Sequence, residues 1–402
     1  GHRFGFFPAF SVAWNIAEEK LIKDHLKWMN MFKLRYSYGK VGNDQLGTRF
    51  PYLYTISGKY TEKVDDKDVE KIFPGWNWGD YGYDKKFDGM TYSMLASENV
   101  TWEIATKHDF GVDLSLFNDK LTATVDYFHE QRDGIYMERK FLPGMVGIVR
   151  SNPKANVGSV LSEGFDGHFA YKQKLGKVNL TIRGNMTYSK NEILERDETN
   201  TVYPYQLEKG YRVNQAKGLI ALGLFKDYDD IRNSPQQTEW GKVQPGDIKY
   251  KDVNGDGIIN GNDKVAIGAT TKPNLIYGFG ISAQWNGFDF NMHLQGAGKS
   301  SFFIEGHTVF AFSDNQWGNV LENLVKDRWV DAQTAEKLGI PANENPNASY
   351  PRLSFGKNDN NQQKSTFWLR NGSYLRLKTL EVGYTLPKSI VNKIKFNKIR
   401  VF

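Results

Sequence analysis

The sequence predicts an all-β protein, an antiparallel transmembrane β-barrel with long extracellular loops and short periplasmic turns. Three observations support this prediction. Apolar and polar residues alternate along several segments of about ten residues, longer than most strands of soluble proteins and suited to a tilted membrane strand. Tight turns join some of these segments, whereas stretches of tens of residues join the others. Aromatic residues make up 14% of the 402 residues and are accompanied by 39 glycines.

The clearest predicted hairpin occupies residues 274–296. Its first half carries one apolar row at alternate positions, formed by Tyr277, Phe279, Ile281, Ala283 and Trp285. Asn286-Gly287 follows, and these residue types supply the two positive φ angles of a type I′ turn. Alternation then resumes from Phe288 to Leu294. Lipid or a second sheet could cover the apolar row, so a membrane barrel and a soluble sandwich both remain open here.

The same alternation predicts the other strands in chain order. Even positions are apolar or aromatic in 4–14 and again in 32–38, and a short amphipathic segment, 17–27, lies between these strands. One further hairpin turns at Asn118-Asp119, and another turns at residues 175–177. Along its second strand, a polar row of Asn179, Thr181, Arg183 and Asn185 is predicted to face the lumen.

Three long stretches are predicted to be loops. Residues 42–99, 191–272 and 299–367 are polar and show no sustained periodicity. Short turns at one end and long loops at the other are typical of outer-membrane barrels, whereas a soluble sandwich needs no such asymmetry. The first loop contains Trp76, Trp78, Tyr81 and Tyr83. These rings could stack on sugars or pack within the loop.

Composition excludes several classes of protein. The chain has no cysteine, which excludes disulfide scaffolds, thiol catalysis and cysteine-ligated zinc. No apolar run reaches about eighteen residues, so membrane helices are excluded. The net charge of +6 is spread along the chain without a basic run, and no nucleic-acid partner is predicted.

The two ends of the sequence lie inside predicted strands. Residues 4–14 alternate from the start of the chain, and residues 398–402 alternate up to its last residue. Both outer strands would then lack a neighbour, which natural sheets avoid. We therefore expect the sequence to be a piece of a longer polypeptide, without its signal peptide.

One loop carries a calcium-like motif. Its ligand positions 1, 3, 5, 7, 9 and 12 are Asp252, Asn254, Asp256, the carbonyl of Ile258, Asn260 and Asp263. Gly257 occupies position 6, where the sharp turn of a calcium loop requires glycine, but position 12 is Asp rather than Glu. The motif predicts a bound calcium ion that stiffens an extracellular loop. The alternative is a turn held by Asx hydrogen bonds without an ion.

No catalytic residue is predicted, and the protein is not expected to be an enzyme. His129-Glu130 lacks the second histidine of a zinc-protease helix and is interpreted as a lumen or loop position. His168 and His293 fall on the polar faces of strands, where solvated or channel-lining roles are expected. A surface glycosidase would need two carboxylates directed into one cleft, and no pair stands out.

Several segments resemble one family. Residues 369–378, LRNGSYLRLK, and 382–387, VGYTLP, are similar to the C-terminal signature of SusC/RagA-type TonB-dependent outer-membrane transporters of Bacteroidetes. LRYSYG at 34–39, TWE at 101–103, NVG at 156–158, GDIKY at 246–250 and YPRL at 350–353 agree with this resemblance. It covers nearly the whole chain, and its motifs occur in the same order.

The resemblance implies a 22-stranded barrel filled by an N-terminal plug, in the outer membrane of a Gram-negative bacterium. Such a transporter imports oligosaccharides or peptides with energy relayed by TonB, and a SusD-like surface lipoprotein closes over its loops. Residues 1–402 would be the C-terminal portion of the barrel, without the plug and the final strands, and the strands would contact lipid. A soluble calcium-stabilised carbohydrate-binding β protein remains the alternative.

Overall fold

The structure is a computed structural model that describes residues 4–47, 50–64, 67–72, 89–97, 99–140, 152–312 and 320–402. In chain order its strands are β1 (Ala9–Asn15), β2 (Met29–Asn43), β3 (Thr55–Ser57), β4 (Lys59–Val64), β5 (Lys67–Ile72), β6 (Thr91–Met94), β7 (Glu103–Leu116), β8 (Leu121–Glu138), β9 (Lys154–Leu175), β10 (Val178–Glu195), β11 (Lys217–Gly218), β12 (Ala221–Leu224), β13 (Ile248–Tyr250), β14 (Val265–Ala266), β15 (Leu275–Trp285), β16 (Phe288–Gly298), β17 (Ser301–Phe303), β18 (Leu369–Asn371), β19 (Tyr374–Thr385) and β20 (Arg400–Val401).

The helices are short. They are α1 (Lys20–His25), α2 (Tyr228–Arg232), α3 (Glu322–Asp327), α4 (Ala332–Leu338) and α5 (Lys388–Val391). None of the helices in the described ranges combines the length and the apolar character needed to cross a membrane.

The main element is one antiparallel sheet of ten strands. Its spatial order is β1-β2-β7-β8-β9-β10-β15-β16-β19-β20, so each strand of the sheet lies beside the next one along the chain. All nine pairings are antiparallel. This meander confirms the predicted fold class.

Tight turns at one end of the sheet have the backbone that the sequence predicts. Asn286 and Gly287 have φ angles of 47° and 87°, which are the two positive values of the predicted type I′ turn. In the turn between β7 and β8, Asn118 and Asp119 have φ angles of 58° and 60°. Connections at this end are not all short, because residues 16–28 and 386–399 carry α1 and α5.

The two faces of the sheet differ as predicted. Across β15 and β16, Ile281 pairs with Met292 on one face, and Ser282 pairs with Asn291 on the other. The large outward side chains stay exposed, and Val382 of β19 is 63% exposed. In the described ranges the other sheets have two strands each. A soluble sandwich would bury this apolar face beneath a second sheet, whereas a lipid-facing wall leaves it exposed, as it is among the described residues.

Loops at the other end of the sheet contain short strands and helices in their described residues. The stretch 42–99 contains the hairpin of β4 and β5 and the pair of β3 and β6. The described residues of 196–274 and 299–373, called here the loop lobe, pack against each other. Their shared core consists of Leu219, Leu224, Ile248, Tyr250, Ile259, Trp329, Ala348 and Trp368. These stretches are long connections between strands of the main sheet, as predicted, and the short strands and helices within them are additional features that the sequence did not predict.

Candidate functional site

An aromatic row crosses the outward face near the loop end of the sheet. Successive cross-strand pairs join one aromatic residue from each of five neighbouring strands, which are Tyr36, Phe110, Tyr127, Phe165 and Tyr188. The ring centroids of Tyr36 and Phe110 lie 4.7 Å apart, and those of Phe165 and Tyr188 lie 5.5 Å apart. Aromatic residues are typical of the two membrane interfaces of a β-barrel.

A second aromatic row lies near the short-turn end of the same face. Trp285, Phe288 and Tyr384 pair in register across β15, β16 and β19. On β10, Tyr188 belongs to the first row, and Val178 pairs with Trp285 of the second row. Ten residues of strand span about 33 Å, or about 25 Å along the membrane normal at a tilt of about 40°. This height matches the apolar band of an outer-membrane barrel.

Ion pairs cover the inner face. The Arg35 guanidinium of β2 donates to Asp113 of β7 at 2.8 Å and to Asp126 of β8 at 2.7 Å. Toward the short-turn end, Arg400 of β20 pairs with Asp289 of β16 and Glu381 of β19. These charges tie neighbouring strands together on the side away from the aromatic rows. The inner wall is therefore polar and charged.

The predicted lumen row lies on this inner face. Thr181 pairs with Ser282, and Arg183 pairs with Gly280. Both pairs lie on the face of the sheet opposite to the apolar row of β15. Arg183 also donates to Asn291 at 3.4 Å. The facing predicted for Asn179, Thr181, Arg183 and Asn185 is confirmed by the register.

Of the histidines, His168 and His293 lie on the inner polar face, as predicted. His129 is different, because it pairs with His108 two residues beyond Tyr127 on the outward face. Its Nδ1 lies 3.8 Å from a carboxylate oxygen of Glu163. The interpretation of His129 as a lumen or loop residue was therefore wrong. The alternation that starts at Tyr127 already assigns it to the outward face.

The calcium-like loop is folded around its own carboxylates. Both carboxylate oxygens of Asp252 accept backbone N–H groups, from Gly255 at 2.7 Å and Gly257 at 2.8 Å. Asn254 and Asp256 each accept a backbone N–H two residues later. These contacts fix the three side chains against the backbone of their own loop. Each carboxylate oxygen keeps a second lone pair for a hard cation.

The C-terminal half of this loop is closed by Asp263. This fully buried carboxylate accepts the N–H groups of Val253 and Asn260, both at 2.8 Å. Asn260 in turn caps the turn at 261–263, and Ile258 lies at the exposed edge. Within the described ranges no cluster of three or more acidic or histidine side chains has the arrangement of a metal centre. The calcium site stays a prediction.

A buried polar network joins the two halves of the loop lobe. Asp247 is fully buried and lies 2.8 Å from Nε of Arg352. Its carboxylate also accepts from the amides of Asn358 and Asn361, at 3.1 and 2.9 Å. Sequence reasoning missed these residues, although Asp247 and Arg352 fall within the GDIKY and YPRL segments. Trp76, Trp78, Tyr81 and Tyr83 lie outside the described residues.

Comparison with known proteins connects this geometry to one family. The sequence model described as TonB dependent receptor-like, beta-barrel matches residues 2–297. TonB-dependent receptor P3 of Formosa agariphila is 23% identical over 423 residues, covering 100% of this chain and 37% of that protein. TonB-dependent receptor SusC of Bacteroides thetaiotaomicron is 21% identical over 400 residues, covering 96% of this chain and 34% of that protein.

Solved structures share the fold. The RagAB peptide importer in its open-open state superposes with a TM-score of 0.65 at 17% identity, covering 97% of this chain and 37% of that one. The RagAB peptide transporter gives a TM-score of 0.62 at 19% identity, with 96% and 38% covered. The chain thus spans little more than a third of the length of the relatives that it matches.

Proposed function

Because the chain belongs to the TonB-dependent receptor-like β-barrel family, we propose that it forms part of the wall of a SusC/RagA-type importer in the outer membrane of a Gram-negative bacterium. One observation carries this proposal. A single ten-stranded meander has two aromatic rows at the ends of its apolar outward face and ion pairs on its inner face. Lipid fits the first surface and an aqueous lumen fits the second.

Import by such a protein would use this inner wall without chemistry on the ligand. The ion pairs of Arg35 and Arg400 brace neighbouring strands, so the wall keeps its shape while a plug moves beside it. TonB would supply the energy through a plug segment, and the loop lobe would contact the ligand first. No catalytic residue is required for this activity.

We further propose oligosaccharides or peptides as the ligands and a SusD-like lipoprotein as the partner that covers the loops. The named function of the RagAB structures, peptide import, supports the peptide class, and the similarity to SusC supports the family type. The ordered loop lobe gives such a lid a defined surface to close upon.

Calcium is a separate proposal. The six predicted ligand positions lie in one folded loop, and its carboxylates are held by backbone hydrogen bonds. A bound ion would link residues 252–263 more firmly and stiffen the edge of the loop lobe. Calcium binding is not required for the transport proposal.

The function is tested in the native host with the full-length protein. We expect an outer-membrane band whose gel mobility changes on boiling, as for a closed barrel. We also expect uptake of labelled peptide or oligosaccharide to be lost when the gene is deleted and when TonB is inactivated. Recovery in the soluble fraction with heat-independent mobility would contradict the proposal, as would uptake that persists without TonB.

A further inference from the structure

The loop lobe contains a cleft of about 530 Å³ beside α4. Its wall is formed by side chains from both halves of the lobe, among them Tyr228, Gln244, Arg328, Trp329, Thr334 and Arg352. Two arginines therefore line one cleft, and their surroundings differ. Arg352 is neutralised by the buried carboxylate of Asp247 at 2.8 Å.

Arg328 has no such partner. Only 6% of the residue is exposed, and its guanidinium donates one hydrogen bond, to the carbonyl of Val325. Among the described residues no carboxylate lies within ion-pair distance of it. Burial lowers the pKa of Arg328, and no neighbouring carboxylate raises it. Among the described residues, the other four guanidinium N–H groups have no acceptor, and because Arg328 lines the cleft they are reached from it.

The neighbouring residue shows the same excess of donors. Nε1 of Trp329 is buried and has no acceptor in the part of the chain that the structure describes. Asp331, the carboxylate that also lines the cleft, caps α4 by accepting the N–H of Thr334 at 2.8 Å. A buried guanidinium without an anion is unfavourable, and proteins that keep one normally pair it. The missing group at this wall is therefore an anion.

We propose that this cleft binds a carboxylate of the imported ligand and that the guanidinium of Arg328 is its main contact. The planar fork of arginine matches the two oxygens of a carboxylate. This inference rests on the proposed import function. Two kinds of ligand supply such a carboxylate, a peptide and an oligosaccharide that contains a uronic acid.

The experiment measures binding to the full-length transporter purified in detergent. The probes are a pentapeptide with a free C-terminus, the same pentapeptide with a C-terminal amide, trigalacturonate and galactotriose. We expect wild-type protein to bind the charged member of one pair at least about tenfold more tightly than its neutral partner, as for a charge-assisted bidentate contact. The pair that shows the difference identifies the source.

Two variants locate the effect. Arg328→Met removes the charge and keeps the bulk, and we expect it to abolish the difference between the charged and neutral probes. Arg232→Met removes one positive charge from an exposed site on α2, where the arginine pairs with Asp229, and should retain the difference. Equal binding of charged and neutral probes by wild-type protein would overturn the inference. So would a difference that survives in Arg328→Met.

Arg328 also has a structural alternative, because its bond to the Val325 carbonyl lies at the C-terminus of α3. If that were its only role, Arg328→Met would weaken amide protection in 322–330 without changing charge discrimination, which overturns the inference. Uptake distinguishes the two proposals. Wild-type protein that discriminates between charged and neutral probes but imports neither ligand class would contradict the transport function alone. TonB-dependent import by wild-type protein, together with unchanged discrimination in Arg328→Met, would contradict this site alone.

Discussion

Asp247 and Arg352 form an ion pair of 2.8 Å in the interior of the loop lobe, although they belong to different loops of the barrel. The carboxylate is fully buried, and its remaining acceptor capacity is used by Asn358, Asn361 and the backbone N–H of Gln244. A buried charge is stable only when its partners are complete. This pair therefore holds the two loops together above the sheet.

Removing one partner should open the lobe. We expect Arg352→Met to destabilise it by about 3–5 kcal/mol, because Asp247 would stay buried without a cation. Hydrogen exchange of β12 and β13 measures the effect. Arg232→Met, which removes an exposed arginine of the same lobe, is the control and should leave exchange unchanged. Unaltered protection in Arg352→Met would show that the pair is not needed for this packing.

Gly246 is predicted to be intolerant of a side chain for two reasons. Its φ is +85°, and a Cβ would lie 2.2 Å from the indole ring of Trp329. Gly241 has a φ of +103° but nothing within 4 Å of a Cβ. We expect Gly241→Ala to cost about 1–2 kcal/mol from the backbone alone, and Gly246→Ala about 1–3 kcal/mol more. Equal protection factors in the lobe for both variants would refute the contact with Trp329.

An introduced charge should destabilise the barrel more on the outward face of β10 than on its inward face. Ile182 faces outward and pairs with Ile281, between the two aromatic rows. We expect Ile182→Arg to destabilise the folded barrel by about 2–4 kcal/mol, as for an arginine near the membrane midplane. Thr181→Arg is the control, because it faces inward beside Arg183. Urea unfolding of the full-length protein in vesicles measures both, and an equal cost would contradict the assigned facing.

The N-terminus of α4 should lose its cap in acid. Hydrogen bonds from the hydroxyl and the N–H of Thr334 hold the pKa of Asp331 below its usual range. The capping contribution is therefore complete above the unfolded pKa of about 3.9 and is lost as pH falls through the lower folded value. We expect exchange protection of α4 to fall below about pH 4 in wild-type protein. Asp331→Asn keeps a capping oxygen without titrating, so its protection should not follow this pH dependence.

Calcium binding has a direct spectroscopic test. The hydroxyl of Tyr203 accepts from the Asn254 amide at 3.0 Å, so a lanthanide in the loop would lie near this ring. We expect terbium luminescence sensitised by tyrosine, which calcium displaces and which Asp252→Ala abolishes. Asp229→Ala, an acidic residue outside the loop, should leave it unchanged. Failure of the wild-type protein to sensitise terbium would favour the Asx-bonded turn without an ion.

Tertiary contacts decided the loop lobe, which the sequence did not predict. The amide of Gln237 donates to Asn360 at 2.7 Å, and the backbone N–H of Leu219 donates to Lys364 at 2.9 Å. The two partners of each bond are more than a hundred residues apart in the sequence, and the segments that contain them show no periodic alternation of apolar and polar residues. Arg328 was missed for the same reason, because a missing carboxylate is visible only after all its neighbours are in place.

The sequence by itself determined the sheet, its turns and its two faces. Side chains alternate across a strand, so the row from Tyr277 to Trp285 specifies its own facing, and Asn286-Gly287 specifies its own turn. These rules act over two to four residues and need no distant partner. Only the tertiary structure decided which loops fold together and which buried charges are paired, since burial and pairing depend on groups far apart in the chain.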